Sequence, residues 1–338
     1  MPKTIEQYEN WAKEVAQETG FSLEGGIYRD YYSADHARGA IYEGEYKSKS
    51  AVLKLWDDPR GTDEPVALEA FHKSNESKLI VAPELYKYEI LSPNRGWMIV
   101  EKLPENGSFM PVPIIDQEGK NEFAKLYLEY RKNFPTEPHR TLVLAENLSP
   151  SEFHTYRILQ WFRLANDKEL ARELAKEAKA LSPEEFVPRY QKALQVIRDE
   201  FADRKMIWCH SHFKPSEVYK VNDENKYYLI DFAHTSLKPE GYEPAFVIWG
   251  NHIVDGDWTQ DYKEWRKQIE EWLNAFSSIK DELEWNDFDN LMRASLLERC
   301  LGTILADIAA SDRSYDEKTK RVELIYKLID DLLEGSLL

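Results

Sequence analysis

Hydrophobic positions near the start of the chain recur three and four residues apart. Ile5, Tyr8, Trp11 and Val15 form one stripe, Thr4 and Gln7 fit a capping box ahead of it, and Gly20 supplies a stop, so the spacing predicts a first helix. The period then changes. Residues 26–56, GIYRDYYSADHARGAIYEGEYKSKSAVLKLW, are rich in Tyr, Val and Ile and are interrupted at Ala-Asp-His-Ala-Arg-Gly and Lys-Ser-Lys-Ser, which predicts three antiparallel strands. EPVALEAFHKSNES returns to helical spacing, and LIVAPELYKYEIL and GWMIVEKLPE read as two further strands around the turn cluster SPNRG.

Beyond Pro104 the stretch MPVPIIDQEGKN looks like a connection, and helical patterns dominate afterwards. The clearest opens at Ser182-Pro183-Glu184-Glu185, a capping box with proline at the first helical position, and its apolar face is Phe186, Tyr190, Leu194, Ile197 and Phe201. VYKV and KYYLI flank the turn NDEN as a short hairpin, and residues 262–333 are again amphipathic helix. The expected fold is therefore α+β. A sheet-rich N-lobe over residues 1–103 precedes a mainly helical C-lobe over 104–338 that carries one hairpin.

Composition agrees with two folded lobes: the 338 residues are 42% hydrophobic and 13% aromatic. The 61 acidic against 44 basic residues give a net charge of −17, which weighs against a nucleic-acid partner. Two cysteines, Cys209 and Cys300, do not make a disulfide framework and fit a reducing compartment. The polar, amphipathic start and the lack of an apolar run of spanning length predict a cytoplasmic protein without membrane contact.

The segments GAIYEGEYKSKSAVLKLW, ALEAF, MIVEKLP, HSHFKPSEV and LIDF occur in an order and at separations that resemble the aminoglycoside phosphotransferase and choline kinase branch of the protein-kinase-like superfamily. The resemblance covers most of both lobes. It implies a two-lobed kinase fold that binds ATP and Mg²⁺ and phosphorylates a hydroxyl of a small molecule, such as an aminoglycoside or amino alcohol. Acceptor choice in this branch comes from the variable helical lobe, so the motifs name neither the acceptor nor an oligomeric state.

Residue by residue, the resemblance assigns Lys54 to the nucleotide phosphates, with Glu69 as its acidic partner on the next helix and Glu64 as the fallback. The nucleotide loop SADHARG keeps only Gly39 of three expected glycines, and Val100 to Leu103, with Glu101 and Leu103 as the named contacts, match the hinge whose backbone holds adenine. Asp231 ends the strand KYYLID and matches the aspartate that chelates the metal.

The catalytic loop departs from the family pattern H-G-D-L-x-x-x-N. His210 matches its histidine, but His212 stands at the aspartate and Glu217 at the metal-binding asparagine. A neutral imidazole can accept a proton, although it lacks the fixed negative charge of a carboxylate, and a glutamate remains a hard oxygen ligand. Two readings follow: a phosphotransferase with His212 as base, or a pseudokinase that acts as a nucleotide-binding or regulatory module. A zinc site from Cys209, His210 and His212, completed by His234 or Glu217, is a rival, though neighbouring residues in an extended loop point to different sides. In EPAFVIWG, ending near Trp249, no aspartate stands where the family anchors its catalytic loop, and Trp258, Trp265 and Trp272 read as core.

Overall fold

Thr4 and Gln7 exchange both bonds of the capping box, and helix α1 (Ile5–Thr19) ends at Gly20 in the left-handed conformation. The structure, a computed structural model, describes residues 3–33, 36–136, 149, 152, 154–155, 157–159, 183–254, 256–308 and 314–337. The Tyr8, Trp11 and Val15 stripe of α1 packs on one face of a sheet against Ala40, Tyr42, Leu53, Leu55, Trp97 and Ile99. Each large side chain so buried contributes roughly 1.5–3 kcal/mol.

That sheet is formed by β1 (Lys3–Thr4), β2 (Ser22–Ser33), β3 (His36–Tyr46), β4 (Lys49–Asp57), β6 (Leu85–Ser92) and β7 (Arg95–Glu101). The strands run in the order β1-β3-β4-β7-β6 with β2 also on β3, and every pair is antiparallel. Alternation along β4 sends Ala51, Leu53 and Leu55 towards α1 and Val52 and Trp56 to the opposite face. Lys54 shares that second face, where helix α2 (Pro59–Ser74) packs through Ala67, Leu68 and Phe71.

The run LIVAPELYKYEIL is two strands rather than one. β5 (Ile80–Val81) pairs in parallel with β11 (Tyr227–Leu229), and only from Leu85 does the chain join the main sheet, because Pro83 lies between the two pieces and offers no N–H to a ladder. β5 and β11 belong to a second sheet, β5-β11-β10-β8, with β8 (Gly107–Phe109) and β10 (Val218–Val221). The expected hairpin is β10–β11, with register Val218 to Leu229. A two-stranded ladder that the sequence did not announce pairs β9 (Met206–Cys209) with β12 (Ser236–Pro239).

The remainder is helical: α3 (Gln117–Asn133), α4 (Pro183–Phe201), α5 (Glu243–Ile248), α6 (Tyr262–Ser277), α7 (Phe288–Gly302) and α8 (Tyr315–Glu334). Ser182, the expected cap of α4, lies outside the described residues. Trp265 and Trp272 are buried in the large core, with Trp258 packed on its margin. The architecture is α+β, an antiparallel sheet with its helices followed by a mainly helical part, as the sequence led us to expect. No helix among the described residues is long and apolar enough to cross a membrane.

Candidate active site

Strand β4 delivers Lys54 to the α2 face, and its Nζ lies 2.5 Å from Glu64 Oε2 and 3.7 Å from Asp231 Oδ1. Burial opposes charge on Lys54, but Glu64 and Asp231 more than offset it and hold the ammonium above its ordinary pKa. Burial lifts Glu64 to about 6 against the pull of Lys54.

The expected partner Glu69 is not the one used. It accepts a hydrogen bond from Tyr88 Oη at 3.3 Å instead. Five residues at 3.6 per turn place Glu69 roughly 140° around the helix from Glu64, so one helix cannot aim both at Lys54. α2 begins at Pro59, earlier than its apolar pattern indicates, and this brings Glu64 onto the inner face.

The ladder between β9 and β12 pairs Cys209 with Ser236 and sets two loop segments side by side just beyond it. On one is His212, on the other His234. Their rings stack with centroids 3.9 Å apart and planes 16° from parallel. His212 Nδ1 lies 3.5 Å from Glu217 Oε1 and 3.7 Å from Asp231 Oδ2, and it is buried without a hydrogen bond. His234 Nε2 lies 3.6 Å from the same Asp231 oxygen, and Lys214 Nζ lies 3.3 Å from Glu217 Oε1. Asp231 itself has φ 60°, ψ 57°, a left-handed conformation uncommon for a residue with a Cβ. Burial raises the cost of charge at Asp231, yet Lys54 first and then the surrounding histidines hold its carboxyl below the usual range. Burial likewise opposes the charge of Glu217, and its contacts with His212 and Lys214 keep that carboxyl below its usual value.

His210, expected in the catalytic set, is fully buried behind the site, close enough to Asp231 and His212 to interact with them electrostatically. Its Nε2 meets Ile230 O at 2.9 Å, its ring packs edge-on to Phe232 at 4.9 Å, and burial lowers its pKa to about 4. The histidine is therefore neutral and braces the loop to the end of β11. Cys209 is also buried, against Arg131, and burial pushes its thiol well up. The zinc grouping of Cys209 and His210 with His212 does not form: Cys209 Sγ lies against Arg131 and His210 Nε2 against Ile230 O, and among the described residues His212 is grouped with Asp231 and His234 instead.

One anchor escaped the sequence reading. Glu243, buried at the start of α5, accepts from Ser211 N at 2.9 Å and from Tyr130 Oη at 3.2 Å, while Arg131 Nη1 lies 3.6 Å away. Tyr130 Oη in turn accepts from His210 N at 2.7 Å. These bonds hold Ser211 at φ 62°, where the family pattern has glycine. The available signal was Glu243 beside Pro244 at a helix start, six residues before Trp249, where an acid was sought.

Gly39 is not in a loop: it lies within β3 opposite Trp56, and a Cβ there would meet Leu55 O at 3.1 Å. Residues 34–35 of SADHARG lie outside the described residues. At the expected hinge, Glu101 N donates to Glu84 O at 2.8 Å and Lys102 N to Ser50 O at 3.3 Å. The Glu101 carboxylate accepts from Glu84 N and Tyr228 Oη, and Leu103 packs with Tyr219, Val221 and Tyr228.

Magnesium takes oxygen ligands in a near-octahedral shell. Asp231 and Glu217 offer carboxylates, but the His212 imidazole stands between them and a second imidazole flanks Asp231. This mixed nitrogen and oxygen donor set does not suit magnesium.

Solved structures carry the same architecture. An aminoglycoside phosphotransferase, APH(4)-Ia, in ternary complex with ADP and hygromycin B is 12% identical, with 96% of this chain and 97% of that chain covered and a TM-score of 0.57. Spectinomycin phosphotransferase APH(9)-Ia, in complex with ADP and spectinomycin, is 13% identical over 97% and 98% of the two chains, with a TM-score of 0.57. Ethanolamine kinase from Plasmodium vivax is 14% identical over 90% and 81%, with a TM-score of 0.54. No protein-family model matches the sequence, and no curated protein matches it. The chain thus has a kinase-like fold. Its fold is similar to those of aminoglycoside phosphotransferases and an ethanolamine kinase.

Proposed function

We infer that this chain binds ATP and transfers the γ-phosphoryl group to a hydroxyl of a small molecule. The observation that carries the reading is Lys54, an ammonium on a rigid central strand held 2.5 Å from Glu64 and 3.7 Å from Asp231. A cation fixed in position on a rigid strand by a carboxylate partner can orient an incoming polyphosphate. At the hinge, the Glu101 and Lys102 N–H groups are engaged by Glu84 and Ser50, so Leu103 N–H is the donor assigned to adenine.

His212 takes the role of proton acceptor. With its Nδ1 proton turned towards Glu217 and Asp231, Nε2 carries the lone pair, and the two carboxylates stabilise the imidazolium formed when Nε2 takes the hydroxyl proton. The hydroxyl oxygen bonds to the γ-phosphorus as the bond to the bridging oxygen breaks, and ADP leaves. Neighbours of the fold bound to ADP with hygromycin B or spectinomycin support a polar acceptor bearing hydroxyls.

A second reading, a pseudokinase that holds nucleotide as a binding or regulatory module, is favoured by the stacking of His212 on His234 beside Asp231. Calorimetry with ATP, followed by ATP turnover against a panel of aminoglycosides and amino alcohols, separates the two. Binding with acceptor-dependent ADP release supports transfer, and binding without it supports the pseudokinase. ATP affinity unchanged in Lys54→Ala would exclude nucleotide binding at this site.

A further inference from the structure

His212, Asp231 and His234 each present one ligand atom, and these atoms all lie within 4.8 Å of one another. The separations of 3.7 Å and 3.6 Å from Asp231 Oδ2 to the two imidazole nitrogens come close to those between ligands about 2.0–2.2 Å from one tetrahedral ion. The buried His212 Nδ1 meets no atom in good hydrogen-bond geometry, with Glu217 Oε1 at 3.5 Å and Asp231 Oδ2 at 3.7 Å beside it. We propose that His212, Asp231 and His234 form a binding site for an imidazole-preferring divalent ion of the zinc class, in the pocket where a magnesium nucleotide would otherwise sit.

The chemistry decides the class of ion. Two neutral imidazoles and one carboxylate suit Zn²⁺, Ni²⁺ or Fe²⁺, whereas Mg²⁺ requires oxygen donors and sheds its water reluctantly. Three protein ligands leave a fourth position for water or a phosphate oxygen, and closure asks the partly exposed His234 ring to tilt away from its stack on His212. The inference rests on the proposed function only for the location of the nucleotide. An imidazole that gives Nδ1 to a metal keeps its proton on Nε2, so ion binding and proton acceptance by His212 exclude each other at any one moment.

The test uses the full chain stripped with a chelator and no nucleotide. Co²⁺ is titrated while its visible absorption is followed, and Zn²⁺ and Mg²⁺ are then offered as competitors. Expected is one Co²⁺ per chain with intense tetrahedral bands, displacement by stoichiometric Zn²⁺, and no displacement by a large excess of Mg²⁺. His234→Ala and, separately, His212→Asp each weaken Zn²⁺ at least about tenfold, with far-UV dichroism and melting confirming that the variants fold. Zn²⁺ affinity unchanged from the parent in both variants, or Mg²⁺ displacing Co²⁺ at comparable concentration, overturns the site. ADP affinity measured on the same samples keeps the two ideas apart: lost nucleotide binding with intact Zn²⁺ binding defeats only the proposed function, and the converse defeats only the metal site.

Discussion

Lys54 Nζ stands 2.5 Å from Glu64 Oε2, while Glu69, five residues further along the same helix, bonds to Tyr88. The ion pair belongs to the first of these acids alone. Glu64→Gln should therefore lower ATP affinity at least about tenfold, roughly 1.4 kcal/mol, and Glu69→Gln should leave it within about twofold. Calorimetry on both variants checks this, and equal losses would sink the assignment.

His212 is the proposed proton acceptor. His212→Asn, which removes the base and keeps a polar amide in its place, should reduce transfer by on the order of 10²–10⁴-fold with ATP affinity nearly unchanged. Single-turnover kinetics with an active acceptor reads the chemical step. A rate equal to that of the parent would remove His212 from the reaction.

Glu243 accepts from the Ser211 N–H and from Tyr130, with Arg131 3.6 Å away, all of it buried. Glu243→Ala leaves the Arg131 charge without its carboxylate and should destabilise the fold by about 3–5 kcal/mol. Glu243→Gln can still accept from Ser211 and should lose less. Chemical denaturation of the pair gives the comparison; equal losses would mean that the oxygen accepting from Ser211 contributes nothing beyond the carboxylate charge.

Burial lowers His154, His210 and His252 from 6.5 to about 4. The unfolded chain takes up these protons first, so the stability the neutral rings contribute is present above about pH 6.5 and is lost as pH falls towards 4. Each site accounts for on the order of 3 kcal/mol of that loss, without strict additivity. Denaturation across this window should show stability falling with acid. His252→Gln retains a donor for Trp265 O, which His252 Nε2 now meets at 2.8 Å, and should flatten the slope. An unchanged slope would count against it.

Much of this protein was already written along the chain. The stripe of Tyr8, Trp11 and Val15, the cap at Thr4, the strand periods around Lys54 and the hairpin before Asp231 are local patterns. Each is set by side chains a few residues apart, and each formed as the spacing required. Alternation along β4 alone assigns Lys54 to the face opposite Leu53 and Leu55. What periodicity did not determine was contact between distant residues. Choosing Glu64 over Glu69 needed the starting point of α2, and splitting β5 from β6 needed the partner strand β11. The Glu243 anchor joins residues 32 apart through buried bonds. His212 meets His234 only because β9 and β12 pair and carry both loops past the end of their ladder. Local period fixes which way a side chain faces. Packing in three dimensions decides what it finds there.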